Sequence, residues 1–155
     1  MPSKGTQIKL EGIDELRKKL DQLQSRVDDA MLDAARAGAK VIVDEANSNA
    51  PGPHVVVGNE QTQENEASVE IGPDEEHWYY RFFETGATAH EIKAAKGSAL
   101  AFEGSAGDVI TRSVDHPGMA ANPFLRPAME DKEEAAKNAA GKEFRREIER
   151  IAGGK

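Results

Sequence analysis

Residues 75–86 read EEHWYYRFFETG. The chain holds one Trp, two Tyr and five Phe, and five of these eight lie between Trp78 and Phe83, interrupted only by Arg81. Aromatic side chains carry the largest apolar areas, so the conformation of this hexapeptide decides what the fold can be built around. At about 100° per residue, a helix gathers Trp78, Tyr79, Phe82 and Phe83 into one broad stripe. Tyr80, Arg81 and Glu84 then fall on the opposite side. A strand would mix aromatic and charged groups on both faces. The pattern predicts a short helix over 75–84, stopped at Gly86, with acids in its first turn where the helix dipole favours them. Its stripe is expected to plug the core between a long helix and a sheet. Tyr80 is expected outside, available to an interface, where Tyr is enriched.

Upstream, Leu16, Leu20, Leu23, Val27, Met31, Ala35, Gly38 and Ile42 recur at spacings of three or four, the helical period. They predict a helix over 14–48, about 50 Å long, capped by Asp14 and ended by NSNAPGP at 47–53. It is expected to kink or project, and Ser25–Asp29 is its weakest stretch. TQIKLEG (6–12), HVVVG (54–58) and ASVEIGP (67–73) read as strands. The polar NEQTQENE (59–66) between the last two reads as a mobile loop.

Downstream, SALAF (98–102) and DVITRSV (108–114) read as a strand pair joined by EGSAG. A Pro-punctuated loop follows, then a helix from Pro127 to Ile151, with 150–155 as a frayed tail. The expected fold is α+β. One domain over 1–155 packs a small, mostly antiparallel sheet against a long N-terminal helix, a short aromatic helix and a C-terminal helix.

The 155 residues are enough for one hydrophobic core. With 38% hydrophobic and 31% charged residues the composition is globular. No apolar run approaches the roughly 18 residues of a membrane span. The absence of Cys excludes disulfides and thiolate chemistry and suits a reducing cytoplasm. A net charge of −8 argues against a dedicated nucleic-acid binder. Residues 51–90 hold eight acids against one base, Arg81.

Chemistry-bearing patterns are weak. His54, His77, His90 and His116 show no HxxxH or HxH spacing, so no metal site is expected. Glu75, Glu76 and Glu84 suggest a solvated face and not paired catalytic acids. No GxSxG, P-loop or dinucleotide fingerprint occurs. Aromatics beside an arginine can stack on single-stranded nucleic acid, but the acids around Arg81 would repel phosphate. No catalytic residue and no cofactor is expected.

Three segments, GIDELRKKLDQL (12–23), YYRFFETGATAHEIKAAKGSALAF (79–102) and VDHPGMAANPFLRPAMED (114–131), together carry a resemblance. The chain resembles the gp-ten-like tail-completion, or head–tail joining, proteins of HK-type and lambda-like tailed phages, relatives of the lambda minor tail protein Z. The matching pieces are Glu84–Gly86 after the Tyr/Phe-rich stretch, His90–Ile92, Leu100–Phe102, His116–Pro117–Gly118, and Pro123 to Ala128. The chain departs from the family in lacking Thr-Gly-x-Leu after the first helix and in reading Glu84–Thr85–Gly86–Ala87 at the turn. The resemblance implies a virion structural protein of the neck or head-proximal tail, assembled in the host cytoplasm and without enzymatic activity. It implies a six-fold ring, connector or stopper and tail-tube proteins as partners, DNA only as passing cargo, and no membrane. The alternative is a prophage-encoded nucleic-acid-binding or accessory module.

Two finer expectations follow. Glu60, Glu64 and Glu66 are expected to face the channel and repel passing DNA. Phe124 is expected to pack on the Trp78/Phe82 face. Arg126, biased to extended backbone by Pro127, is expected to pair with Glu84.

Overall fold

The computed structural model describes residues 11–63, 65–95, 98–104 and 107–153. In chain order the elements are α1 (Ile13–Asn49), β1 (Val55–Gln63), β2 (Glu66–Pro73), α2 (Tyr80–Thr85), β3 (His90–Lys93), β4 (Leu100–Gly104), β5 (Gly107–Thr111), β6 (Ser113–His116) and α3 (Leu125–Ala152). This is the α+β architecture expected: two long helices, one short helix and small antiparallel sheets. The strand expected at 6–12 lies almost wholly outside the described residues.

Helix α1 starts one residue earlier than the pattern predicts. Gly12, at φ 87°, supplies the first carbonyl, which accepts from the Leu16 N–H at 3.0 Å. Asp14 is therefore inside the first turn and favours the dipole from there, instead of capping the helix.

The strands pair as β1–β2, β3–β6 and β4–β5. The polar stretch 59–66 is mostly strand. β1 runs to Gln63, β2 starts at Glu66, and Asn65 takes a left-handed turn conformation at φ 63°, which Asn tolerates. Beyond Val57 every described residue of β1 is exposed, so the distal part of β1 has no buried face, while Ala67 and Val69 of β2 are half-buried. Periodicity rules need such a face, which is why they miss it. The β4–β5 hairpin is near where the sequence puts it, but the strand expected over 108–114 is divided: β5 ends at Thr111, and Ser113 and Val114 belong to β6 in another sheet. The pairing of β3 with β6, in register from His90↔His116 to Lys93↔Ser113, is not legible because all of β3 is exposed.

The described residues gather into two compact units, those within 1–41, 57–70 and 134–155 in one and those within 42–56 and 71–133 in the other. The first is held by small residues. Ala30, Ala34, Ala39 and Ala136 are buried, and a Cβ on Gly38 would lie 3.1 Å from the Ala136 carbonyl oxygen. Arg36 donates to both carboxylate oxygens of Glu60, at 2.8 and 2.6 Å, fixing β1 to α1. Glu147 is buried between Arg146 and Arg150. Arg150 thus belongs to α3, where a frayed tail was expected; residues 154 and 155 are outside the described set. The second unit has the aromatic core: Ala46, Val55, Tyr80, Phe124 and Ala128 are buried, with Ile42, Val43, Ile71, Phe83 and Leu125 around them. The Asn47 amide donates to the Val55 carbonyl and accepts from its N–H, at 2.9 and 2.8 Å, anchoring the start of β1.

Candidate functional site

The aromatic stretch is not one helix from 75 to 84. The His77 N–H donates to the Asp74 carbonyl at 3.1 Å, Tyr80 to His77 at 2.9 Å and Phe82 to Tyr79 at 2.9 Å. These are three-residue steps, about 120° per residue. They align Asp74, His77, Tyr80 and Phe83 on one face, and α2 itself begins only at Tyr80. The expected roles are accordingly exchanged. Tyr80 is the buried aromatic, 5% exposed, while Trp78 is 54% exposed and Tyr79 is also outside. Tyr80 meets Phe83 and Phe124 edge-on, with ring centres at 5.5 and 6.0 Å. Phe124 therefore packs on Tyr80, not on the Trp78/Phe82 face. On the outside, the Arg81 guanidinium lies over Trp78 and Phe82 at 5.0 and 4.9 Å, a cation–π arrangement.

Glu84 reaches forward to the start of α3. One carboxylate oxygen accepts from the Phe124 and Leu125 N–H groups at 2.8 and 2.9 Å, and the other from the Arg126 N–H at 3.0 Å. These donors have no partner inside their own helix. Burial alone would raise the Glu84 carboxyl. The three N–H donors, with the Arg126 charge behind them, outweigh it and hold the group below the usual carboxylate range. So Glu84 holds the Arg126 backbone, where a guanidinium pair was expected. Arg126 is helical, because Pro127 falls in the first turn of α3, where its missing N–H costs nothing.

Gly86 and Gly118 close the same region. Both have positive φ, 73° and 83°. A Cβ on Gly118 would fall 2.3 Å from the Ala87 carbonyl oxygen, and one on Gly86 2.9 Å from that of Met119. The bridge between Ala87 and Met119 depends on that closeness, with N···O distances of 2.9 and 2.8 Å. The His116 ring accepts from the Gly118 N–H at 3.1 Å, and Pro117 between them is exposed. Phe82, Ala87, His90, His116 and Met119 line a shallow apolar recess beside the bridge. Pro123 is exposed just ahead of Phe124.

A further cluster was not expected from sequence. His54 and His77 stack with ring centres 3.3 Å apart, and Asp74 faces both. The His77 Nδ1 lies 2.6 Å and the His54 Nδ1 3.4 Å from the Asp74 carboxylate. The one local signal was the three-residue spacing of Asp74 and His77.

Of the acids expected at a channel, Glu60 is committed to Arg36, Glu66 is exposed, and Glu64 lies outside the described residues. No described helix is long and apolar enough to cross a membrane.

The family model described as "Bacteriophage HK97-gp10, putative tail-component" matches residues 14–86. Over that span, just under half of the chain, it is similar to the HK97-gp10-like phage tail components. The HK97-gp10-like span takes in α1, the β1–β2 hairpin and the aromatic turn through Glu84 and Gly86. The motifs at His116–Gly118 and Pro123–Ala128 lie beyond it, yet Glu84 and Gly86 are the residues that hold them. No curated protein and no solved structure matches the chain.

Proposed function

We propose that this chain completes the head-proximal end of the tail and joins it to the head, as a non-catalytic subunit of a six-fold ring formed by a single domain. Connector or stopper proteins lie on its head side and tail-tube proteins on the other, and DNA passes through without being held. The observation that carries the ring is the exposed apolar edge of α1. Ile13, Leu16, Leu20 and Leu23 are each 45–57% exposed. Their spacing of three, four and three is the seam that packs against another element in knobs-into-holes fashion. Asp14, Glu15 and Asp21 alternate along the seam with Arg17, Lys18 and Lys19, three acids against three bases, so the seam is charge-balanced and its apolar residues supply the contact.

The test is a Leu16→Ser/Leu20→Ser variant supplied to a phage lacking the native protein. Both side chains are exposed, so thermal melting should be unchanged. Tails should accumulate unjoined, and imaging should show their ends without the ring. Normal joining by this variant would overturn the proposal.

A further inference from the structure

Among the described residues, one group brings two imidazoles and a carboxylate to a single point. His54, Asp74 and His77 each offer a ligand atom, and these atoms lie within 4.8 Å of one another. We propose that they form a binding site for a first-row divalent cation of the zinc class. Imidazole nitrogens with a carboxylate oxygen are the donor set such ions select over calcium or magnesium. Bonds of about 2.0–2.2 Å to a tetrahedral ion place its ligands about 3.4 Å apart. The His54 Nδ1 and Asp74 Oδ2 are already at 3.4 Å. The other oxygen, Oδ1, is held by the His77 backbone N–H at 2.8 Å, which fixes the carboxylate plane. The His77 Nδ1, now 2.6 Å from Oδ1, would exchange that hydrogen bond for the ion, and because the two rings are stacked and a ring nitrogen binds within its plane, one imidazole would tilt out of the stack to do so.

The surroundings are built. Tyr80 stands steeply tilted to both imidazoles, with ring centres at 5.6 Å. Gly52 lies behind, where a Cβ would come 2.9 Å from the Tyr80 hydroxyl and 3.1 Å from the His54 ring. The Asp74 N–H donates to the His54 carbonyl at 2.8 Å, so both ligands belong to the base of the β1–β2 hairpin. An ion there would staple the hairpin base to the turn that leads into α2. All three ligands are half-exposed, which leaves at least one coordination position for water or for a side chain of another protein. Each ligating ring nitrogen must carry no proton when it holds the ion.

The experiment titrates the metal-free full chain with Zn2+ and with Co2+, followed by calorimetry and by the visible absorption of the cobalt form. One ion should saturate each chain, with a rise in melting temperature. His54→Gln and Asp74→Asn should each weaken uptake by at least about ten-fold. His90→Gln/His116→Gln, which removes the other histidine pair, should bind as the native chain does. No saturable uptake by the native protein would overturn the proposal. So would uptake that survives in His54→Gln/His77→Gln, or that is lost in His90→Gln/His116→Gln.

Discussion

Glu84 does for α3 what a Ser or Asp does for its own helix, but from forty residues upstream. A residue at the cap position satisfies one or two orphan N–H groups; Glu84 takes three, because a free carboxylate has two oxygens and no chain constraint. The consequence is a pH dependence of definite sign. The folded carboxyl is held below the value of about 4.3 that an unfolded Glu shows. Its stabilisation is therefore fully present above about pH 4.3 and is lost as pH falls through the folded value. Denaturant melts at pH 7 and in acid should show Glu84→Gln losing less stability on acidification than the native chain. At pH 7, Glu84→Ala should cost about 1–2 kcal/mol, the range of a lost helix cap. Equal acid sensitivity of native protein and Glu84→Gln would contradict the assignment.

At the scale of elements, α2 and the start of α3 share one core, and that core ranks the aromatics differently from the sequence pattern. Phe124 is 2% exposed against Tyr80, Val55 and Ala128. Phe124→Ala should cost about 3–5 kcal/mol by chemical denaturation. Trp78→Ala, on the exposed side, should cost no more than about 1 kcal/mol, the contact with Arg81 included. The sequence pattern, which puts Trp78 in the core, demands the reverse. It fails there because a helical wheel assumes 100° per residue from its first position. The chain spends 75–79 in three-residue turns, and that phase error turns Tyr80 inward. Where many periods agree, as in α1 from Leu16 to Ile42, such errors average out and the helix is legible. The β4–β5 hairpin is legible for its β-branched residues and glycines. β3 and the hairpin tip are not, since neither buries a face. The Glu84 clamp is half legible: Glu84 and the Pro123–Pro127 loop stand out as partners, but a long basic side chain next to an acid invites an ion pair, and backbone N–H groups carry no letter in the sequence. The His54–Asp74–His77 cluster needs the hairpin to bring residues together that are twenty or more apart.

For the whole molecule, the acidic segment poses a choice between holding the subunit together and repelling cargo, and its residues divide between the two. Glu60 serves the subunit. Its paired contact with Arg36 raises the guanidinium's affinity for its proton and lowers the carboxyl, the mutual effect of an engaged ion pair. Glu66 is exposed at the start of β2. If ring subunits turn the β1–β2 hairpin toward a channel, Glu66 contributes like-charge repulsion that keeps DNA from adhering as it passes. The two residues should then give opposite phenotypes. Glu60→Gln should loosen β1 from α1, read as faster amide exchange along β1, with ejection little changed. Glu66→Gln, alone or with Glu64→Gln, should leave exchange and assembly intact and slow DNA ejection from whole virions. That slowing should shrink as salt rises, since at 0.15 M added salt exposed charges act over only about 8 Å. Unaltered ejection kinetics in normally assembled Glu66→Gln virions at low salt would put the hairpin outside the channel, and its acids would then be an ordinary solvated face.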